Sequence, residues 1–181
     1  NVGIKHNITN FSQSLLISND AGTGTLDAAS NNTGFGHEVF DDLTSGDNNT
    51  GMGAGALDKL TTGSSNTAIG AGALDANTTA DGNTAVGKDS LGANTVGFSN
   101  TAVGAFSLDA CTDGDDNTAV GYNALTANTT AEDNTAVGSN ALAANTTGTN
   151  NVAVGALALD ANTTGTSLTA VGRASLSANT T

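Results

Sequence analysis

The sequence has very few of the large side chains from which a globular core is built. It contains no proline and no tryptophan, one tyrosine, five phenylalanines and one cysteine among 181 residues. Such a chain cannot fill the interior of an ordinary globular domain, although it can close a thin core if every turn contributes the same small residues. The single cysteine, Cys111, excludes an intrachain disulfide.

Basic residues are also scarce. Four Lys and Arg stand against seventeen Asp and Glu, which gives a formal net charge of −13. Phosphate backbones and anionic bilayers repel such a surface, so we expect no nucleic-acid partner. No apolar run is long enough to cross a bilayer, so we expect no membrane insertion.

The sequence offers no recognisable catalytic set. His6 and His37 are the only histidines and lie far from Cys111, so no nucleophile–base pair can be assembled. A zinc site would need several Cys or His ligands. We therefore predict a non-enzymatic protein without cofactor or metal. One alternative stays open, since the carboxylates of the turn Asp113-Gly-Asp115-Asp116 could bind calcium.

What the sequence does have is a repeat of seventeen residues that occurs nine times without insertion or deletion. Self-similarity at a short fixed period is typical of a solenoid, in which each repeat forms one coil stacked on the last. The copies begin at Asn32, Asn49, Asn66, Asn83, Asn100, Asn117, Asn134, Asn151 and Leu168.

Each position of the repeat has a strong preference. The fourth is apolar, the fifth is always Gly, the ninth is Leu in every copy except at Phe40, and the thirteenth is always Thr. Thr-Ala-Val at the second to fourth positions favours a short strand, and the glycine favours a corner. A second short strand is expected around Ala-Leu-x-Ala, followed by an Asn-Thr-Thr turn. We predict an all-β fold, a parallel β-roll or β-solenoid with seventeen residues per coil.

Two columns of this solenoid are predicted to have structural roles. Stacked asparagines can bond to one another and to the backbone of the next coil. The predicted ladder comprises Asn32, Asn49, Asn66, Asn83, Asn100, Asn117, Asn134 and Asn151. The thirteenth-position threonines could form a similar ladder.

A third column is predicted to form an oligomer strip. If the valines face the core, the alternation of a strand turns the third-position residues outward as a flat surface of small side chains. Each coil buries little apolar area by itself, so lateral association into a homotrimer is expected. The strip comprises Ala68, Ala85, Ala102, Ala119, Ala136, Ala153 and Ala170.

The sixth and seventh positions vary while the framework repeats, so they form a possible recognition edge. Its distinctive residues are Lys88, Phe106, Tyr122 and Arg173. For the whole chain we predict an N-terminal extension or connection over 1–13, a degenerate capping coil over 14–31 and the nine-coil solenoid over 32–181. The last coil stops at Thr181 without a cap, and we expect further coils or a domain to follow in a longer protein.

The pattern Asn-Thr-Ala-Val-Gly-x-x-Ala-Leu-x-Ala resembles the head repeats of the YadA-like trimeric autotransporter adhesins. Residues 136–144, Ala-Val-Gly-Ser-Asn-Ala-Leu-Ala-Ala, match the core of that motif. Similar arrays are familiar from phage tail-fibre proteins. The resemblance implies a left-handed parallel β-roll wound as a homotrimer. This chain departs from the family by its longer period, with the extra residues in the Asn-Thr-Thr turn.

We therefore expect a structural and adhesive fibre segment from a phage tail fibre or a bacterial surface adhesin. It would be extracellular, would pair with itself and would attach to an unknown surface receptor or glycan. The alternative is an ice-binding β-solenoid, because stacked threonines can present a flat, regular lattice. A polysaccharide-cleaving β-helix is disfavoured, since aromatics amount to only 3% of the chain.

Overall fold

The computed structural model describes residues 3–8, 11–18 and 27–181, and for 3–8 and Phe11 only the backbone. Within these ranges the chain forms short strands and turns, and no helix. The strands are β1 (Gly3–Ile8), β2 (Phe11–Ser18), β3 (Ala29–Ser30), β4 (Thr33–Phe35), β5 (Thr50–Met52), β6 (Thr67–Ile69), β7 (Thr84–Val86), β8 (Thr101–Val103), β9 (Thr118–Val120), β10 (Thr135–Val137), β11 (Val152–Val154) and β12 (Thr169–Val171).

Strands β4 to β12 come from the second to fourth positions of successive copies and build one parallel sheet. Its order is β1-β2-β4-β5-β6-β7-β8-β9-β10-β11-β12, with β3 paired to β2. The register places like over like, with Thr118 beside Thr135 and Val120 beside Val137. This confirms the predicted β-solenoid with seventeen residues per coil.

The second predicted strand is wrong, because the Ala-Leu-x-Ala segment forms turns. Asn123 and Leu125, at the seventh and ninth positions, have left-handed backbone with φ of 53° and 52°. These residues bend the chain too sharply for extended structure. Neighbouring coils still bond here, since Leu125 N donates to Ala141 O at 3.0 Å.

The predicted facing of the strands is also wrong. The third-position alanines of the expected oligomer strip are buried inside each coil, so they cannot form an outer surface. The buried members are Ala68, Ala85, Ala102, Ala119, Ala136, Ala153 and Ala170. The fourth-position side chains point outward instead, with Val137 and Val154 more than a third exposed.

The thinness of the core explains this inversion. The third-position residue faces the eighth- and ninth-position side chains across a narrow interior. In the first two coils the third position is Gly, and an added Cβ would lie 2.6 Å from Leu16 Cδ1 at Gly34 and 2.7 Å from Val39 Cγ1 at Gly51. A valine in this column would overfill the interior, so the larger residue of the strand points outward.

The invariant fifth-position glycine is required both by its conformation and by close stacking. Gly121 has φ of +141°, and an added Cβ would lie 2.6 Å from the backbone of Gly138 in the next coil. No L side chain fits either condition. Every coil therefore turns at the same point.

The N-terminal end departs from the repeat. Strand β2 runs parallel to β4, with Leu15 beside Thr33 and Ile17 beside Phe35, so the offset is one residue longer than the period. Strand β1, within the predicted 1–13 extension, pairs antiparallel with β2. Of the predicted 14–31 coil, residues 19–26 lie outside the described residues, and Ala29–Ser30 forms β3.

Candidate functional site

The outer side of the sheet presents two columns of uncharged side chains, the second-position and the fourth-position residues. We call this surface the outer sheet face. It consists of Thr33, Phe35, Thr50, Met52, Thr67, Ile69, Thr84, Val86, Thr101, Val103, Thr118, Val120, Thr135, Val137, Val152, Val154, Thr169 and Val171. Coils repeat about every 4.8 Å, so the face is a strip about 40 Å long.

The outer sheet face is most apolar at its N-terminal end. Phe35, Met52 and Ile69 are 57%, 49% and 38% exposed on three successive coils. Leu15 of β2, which is 41% exposed, extends the same surface. Contiguous exposed apolar side chains of this size mark interaction surfaces more often than isolated ones do.

The first-position asparagines form a buried hydrogen-bonded ladder. Asn117 N donates to Asn100 Oδ1 at 2.9 Å, and Asn117 Nδ2 donates to Ala131 O at 2.8 Å. The same pattern joins Asn32, Asn49, Asn66, Asn83, Asn100, Asn117, Asn134 and Asn151. Each side-chain amide therefore bonds within its own coil and to a neighbouring coil. The role of this column is structural.

A second polar ladder at the twelfth position was not predicted. Asn162 Nδ2 donates to Asn145 Oδ1 at 3.0 Å, and Asn145 Nδ2 donates to Asn128 Oδ1 at 3.4 Å. The period of the recurring Asn-Thr-Thr segment is the signal from which the asparagine ladder could have been inferred. The thirteenth-position threonines join coils as predicted, although through the backbone, since Thr146 Oγ1 donates to Thr163 O at 3.0 Å.

Cys111 replaces asparagine in this second ladder and is fully buried. Its thiol lies 3.6 Å from Gly114 O. Burial is the main cause that raises the pKa of Cys111 to about 11. A protonated, inaccessible thiol is a poor nucleophile, so this residue belongs to the core.

Three of the four recognition-edge residues lie together. Lys88 Nζ is 4.7 Å from the centroid of the Phe106 ring. The rings of Phe106 and Tyr122 meet edge to face, with centroids 6.1 Å apart. Lys88 also forms an ion pair with Asp89. Arg173 is exposed at the equivalent position of the last coil, three coils beyond Tyr122, and does not join this cluster.

An open notch lies beside the cluster, because Gly92 stands where neighbouring coils carry aspartate. The notch has a volume of about 290 Å³, and Gly72, Asp75, Asp89, Gly92, Ala93 and Asp109 line it. Burial, followed by repulsion from Asp58, raises the pKa of Asp75. Burial, followed by repulsion from Asp89, raises the pKa of Asp109. The notch is thus a negative, partly desolvated depression.

In the turn 113–116, which was considered for calcium, one carboxylate is engaged by the backbone of the preceding coil. Asp115 Oδ1 accepts a hydrogen bond from Phe98 N at 2.8 Å, while Asp113 and Asp116 are exposed. Within the described ranges, no group of three or more His, Cys, Asp or Glu side chains is arranged to hold a metal ion. Those ranges also contain no helix with the length and apolarity needed to span a membrane.

Comparison of this chain with models of protein families, with curated proteins and with solved structures found no match.

Proposed function

We propose that this chain is a non-enzymatic segment of an extracellular fibre, from a phage tail fibre or a bacterial surface adhesin, that contributes to attachment. In this proposal three copies associate through their outer sheet faces. The sequence resemblance to trimeric adhesin repeats supports the assignment. The outward fourth-position side chains provide the surface through which the copies would associate. A fibre of this kind needs no catalytic residue.

The observation that carries the proposal is the absence of charge from the whole outer sheet face in a chain of net charge −13. Acidic side chains elsewhere on the rod repel other copies. The outer sheet face is where a second and a third rod can approach without bringing charges together. Its valines, with Phe35, Met52 and Ile69, would then be removed from water.

The mass of the chain in solution tests this proposal. We expect a trimer at micromolar concentration by light scattering or sedimentation. Val103→Asp, Val120→Asp and Val137→Asp combined should give a monomer with an unchanged circular dichroism spectrum, because these side chains lie outside the core.

A matched control adds the same charge elsewhere. The exposed fourteenth-position residues Thr130, Thr147 and Thr164 changed to Asp should leave the trimer intact. A parent chain that is monomeric, or a trimer that survives the valine substitutions, would overturn association through this face.

Ice binding is the second candidate, and one observation favours it. The second-position threonines point outward beside the valines, so a flat Thr–Val lattice with a repeat of about 4.8 Å faces solvent in the single chain. Inhibition of ice recrystallisation by a monomeric chain would favour this candidate, since a trimer would cover the same face.

A further inference from the structure

Three neighbouring coils carry a cluster of large side chains on the sixth- and seventh-position edge. Three of the six other coils have only Ala, Gly, Ser or Asn at these positions, whereas here Lys88, Phe106 and Tyr122 stand in contact. The backbone beneath them is fixed between coils, since Phe106 N donates to Lys88 O at 2.9 Å and Asn123 N donates to Ala105 O at 3.2 Å. The cluster is therefore a preformed surface, and none of its three side chains belongs to the buried core.

Asp89 links the acidic notch to this cluster. Asp89 pairs with Lys88 and also lines the notch together with Asp75 and Asp109. The carboxylates of Asp75 and Asp109 take no part in the hydrogen bonds formed among the described residues. They are acceptors in reach of solvent. Tyr122, which meets Phe106 on the far side of the cluster, is 53% exposed.

We propose that this edge binds a saccharide without acidic groups. The exposed ring of Tyr122, which Phe106 supports edge to face, packs against the C–H face of one sugar unit. Asp75, Asp89 and Asp109 accept hydrogen bonds from the hydroxyls of the units that continue along the rod. A pyranose offers both chemistries, an apolar face and a rim of hydroxyl donors. This inference rests on the proposed attachment function and names the class of ligand.

The charges of the site select against acidic sugars. Three carboxylates lie within or beside the notch, and the rod as a whole is anionic. Lys88 is already engaged by Asp89 and by the face of Phe106, so its charge is not available to an acidic ligand. A carboxylated sugar would meet repulsion from Asp109 and Asp75.

The repeat itself supplies substitutions that the fold accepts. Tyr122→Ser introduces the residue found at the same position in the next coil, Ser139, and Phe106→Asn introduces the residue found at Asn123. A control variant, Phe98→Thr, removes an exposed ring from the sixteenth position, where Thr149 stands in another coil. All three variants should retain the circular dichroism spectrum of the parent.

The experiment presents the parent chain to immobilised neutral oligosaccharides of hexose and N-acetylhexosamine units, and to sialylated and uronic-acid oligosaccharides. Titration calorimetry then measures the affinity of each sugar that binds. We expect neutral sugars alone to bind, with affinity reduced about tenfold in the F106N/Y122S double variant and within twofold of the parent in F98T.

Binding of acidic sugars only, an unchanged affinity in the double variant, or no binding to any sugar would overturn this proposal. The mass of each sample is measured in the same buffer. This measurement tests trimeric association independently of saccharide binding. A trimer that binds no sugar leaves the fibre assignment standing, while a monomer that binds neutral sugars through Tyr122 overturns trimeric association alone.

Discussion

Asn94 and Cys111 occupy the same position in adjacent coils, and their mismatch leaves a buried oxygen without a partner. From Asn145 to Asn179 the amide of each asparagine in this column donates to the side-chain oxygen of the previous one, as Asn145 does to Asn128. Cys111 has no such amide, and its thiol faces Gly114 O instead. No described residue donates a hydrogen bond to Asn94 Oδ1. The ladder that runs from Asn179 back to Asn128 therefore ends at Cys111 and leaves a buried acceptor beyond it.

Replacing Cys111 by Asn should repair this defect. The new amide can donate to Asn94 Oδ1, and relieving a buried unsatisfied acceptor is worth about 1–2 kcal/mol in the free energy of unfolding. Urea denaturation of C111N, C111A and the parent measures the effect. C111A is the control, because it removes the thiol without supplying a donor. A C111N variant no more stable than C111A would contradict the explanation.

Enlarging the inner column should destabilise the fold, whereas changing the outer column should not. Ala136 is fully buried while the adjacent Val137 is 36% exposed. Ala136→Val adds two methyl groups to a filled interior, and we expect a loss of about 1–3 kcal/mol in the free energy of unfolding. Val137→Thr, its matched control of equal shape, should change the stability of the single chain, measured at concentrations where it is monomeric, by less than about 0.5 kcal/mol. Equal effects in thermal denaturation would mean that the two faces had been assigned incorrectly.

The period, the register and the ladder of first-position asparagines could be predicted, because identical residues at a fixed spacing must stack in any solenoid. Alternation along a strand defines two faces but does not say which one is buried, so the inward face could not be derived from it. The small volume of the interior decides which face points inward. An added Cβ at Gly34 would lie 3.0 Å from the ring of Phe40, so a larger residue at the ninth position accompanies a smaller one at the third.

The turn at the ninth position could not be predicted either. Left-handed backbone is disfavoured for a residue with a branched, bulky side chain, yet Leu125 and its equivalents adopt it. Except for Leu176 in the last coil, their side chains are fully buried, so apolar burial outweighs the local strain. In the candidate site, the variable edge was identified from the sequence, but the notch beside it depends on the three-dimensional proximity of Asp75, Asp89 and Asp109.

Removing one amide from the first-position ladder should cost more than removing an exposed hydroxyl. Asn117→Ala leaves Asn134 N and Ala131 O without their side-chain partners. With about 1–3 kcal/mol for each buried unsatisfied group, we expect a loss of about 2–4 kcal/mol in the free energy of unfolding. The control is Thr130→Ala on the exposed turn, which should change little. Comparable losses in the two variants, measured by urea denaturation, would show that the ladder does not stabilise the coil stack.

The acidic notch makes stability depend on pH in a direction that can be worked out. Burial and then repulsion from Asp89 raise the pKa of Asp109 above its ordinary value of 3.8. The folded chain therefore holds this proton more tightly than the unfolded chain, so the free energy of unfolding falls as pH rises from 3.8 through the raised pKa. Asp109→Asn should be more stable than the parent at pH 7, and the difference should disappear when the parent carboxyl is protonated, at about pH 3. Asp133→Asn, on the exposed turn, removes the same charge and corrects for the general relief of repulsion in an anionic rod. If thermal unfolding at both pH values shows equal gains for D109N and D133N, the effect belongs to net charge rather than to the notch.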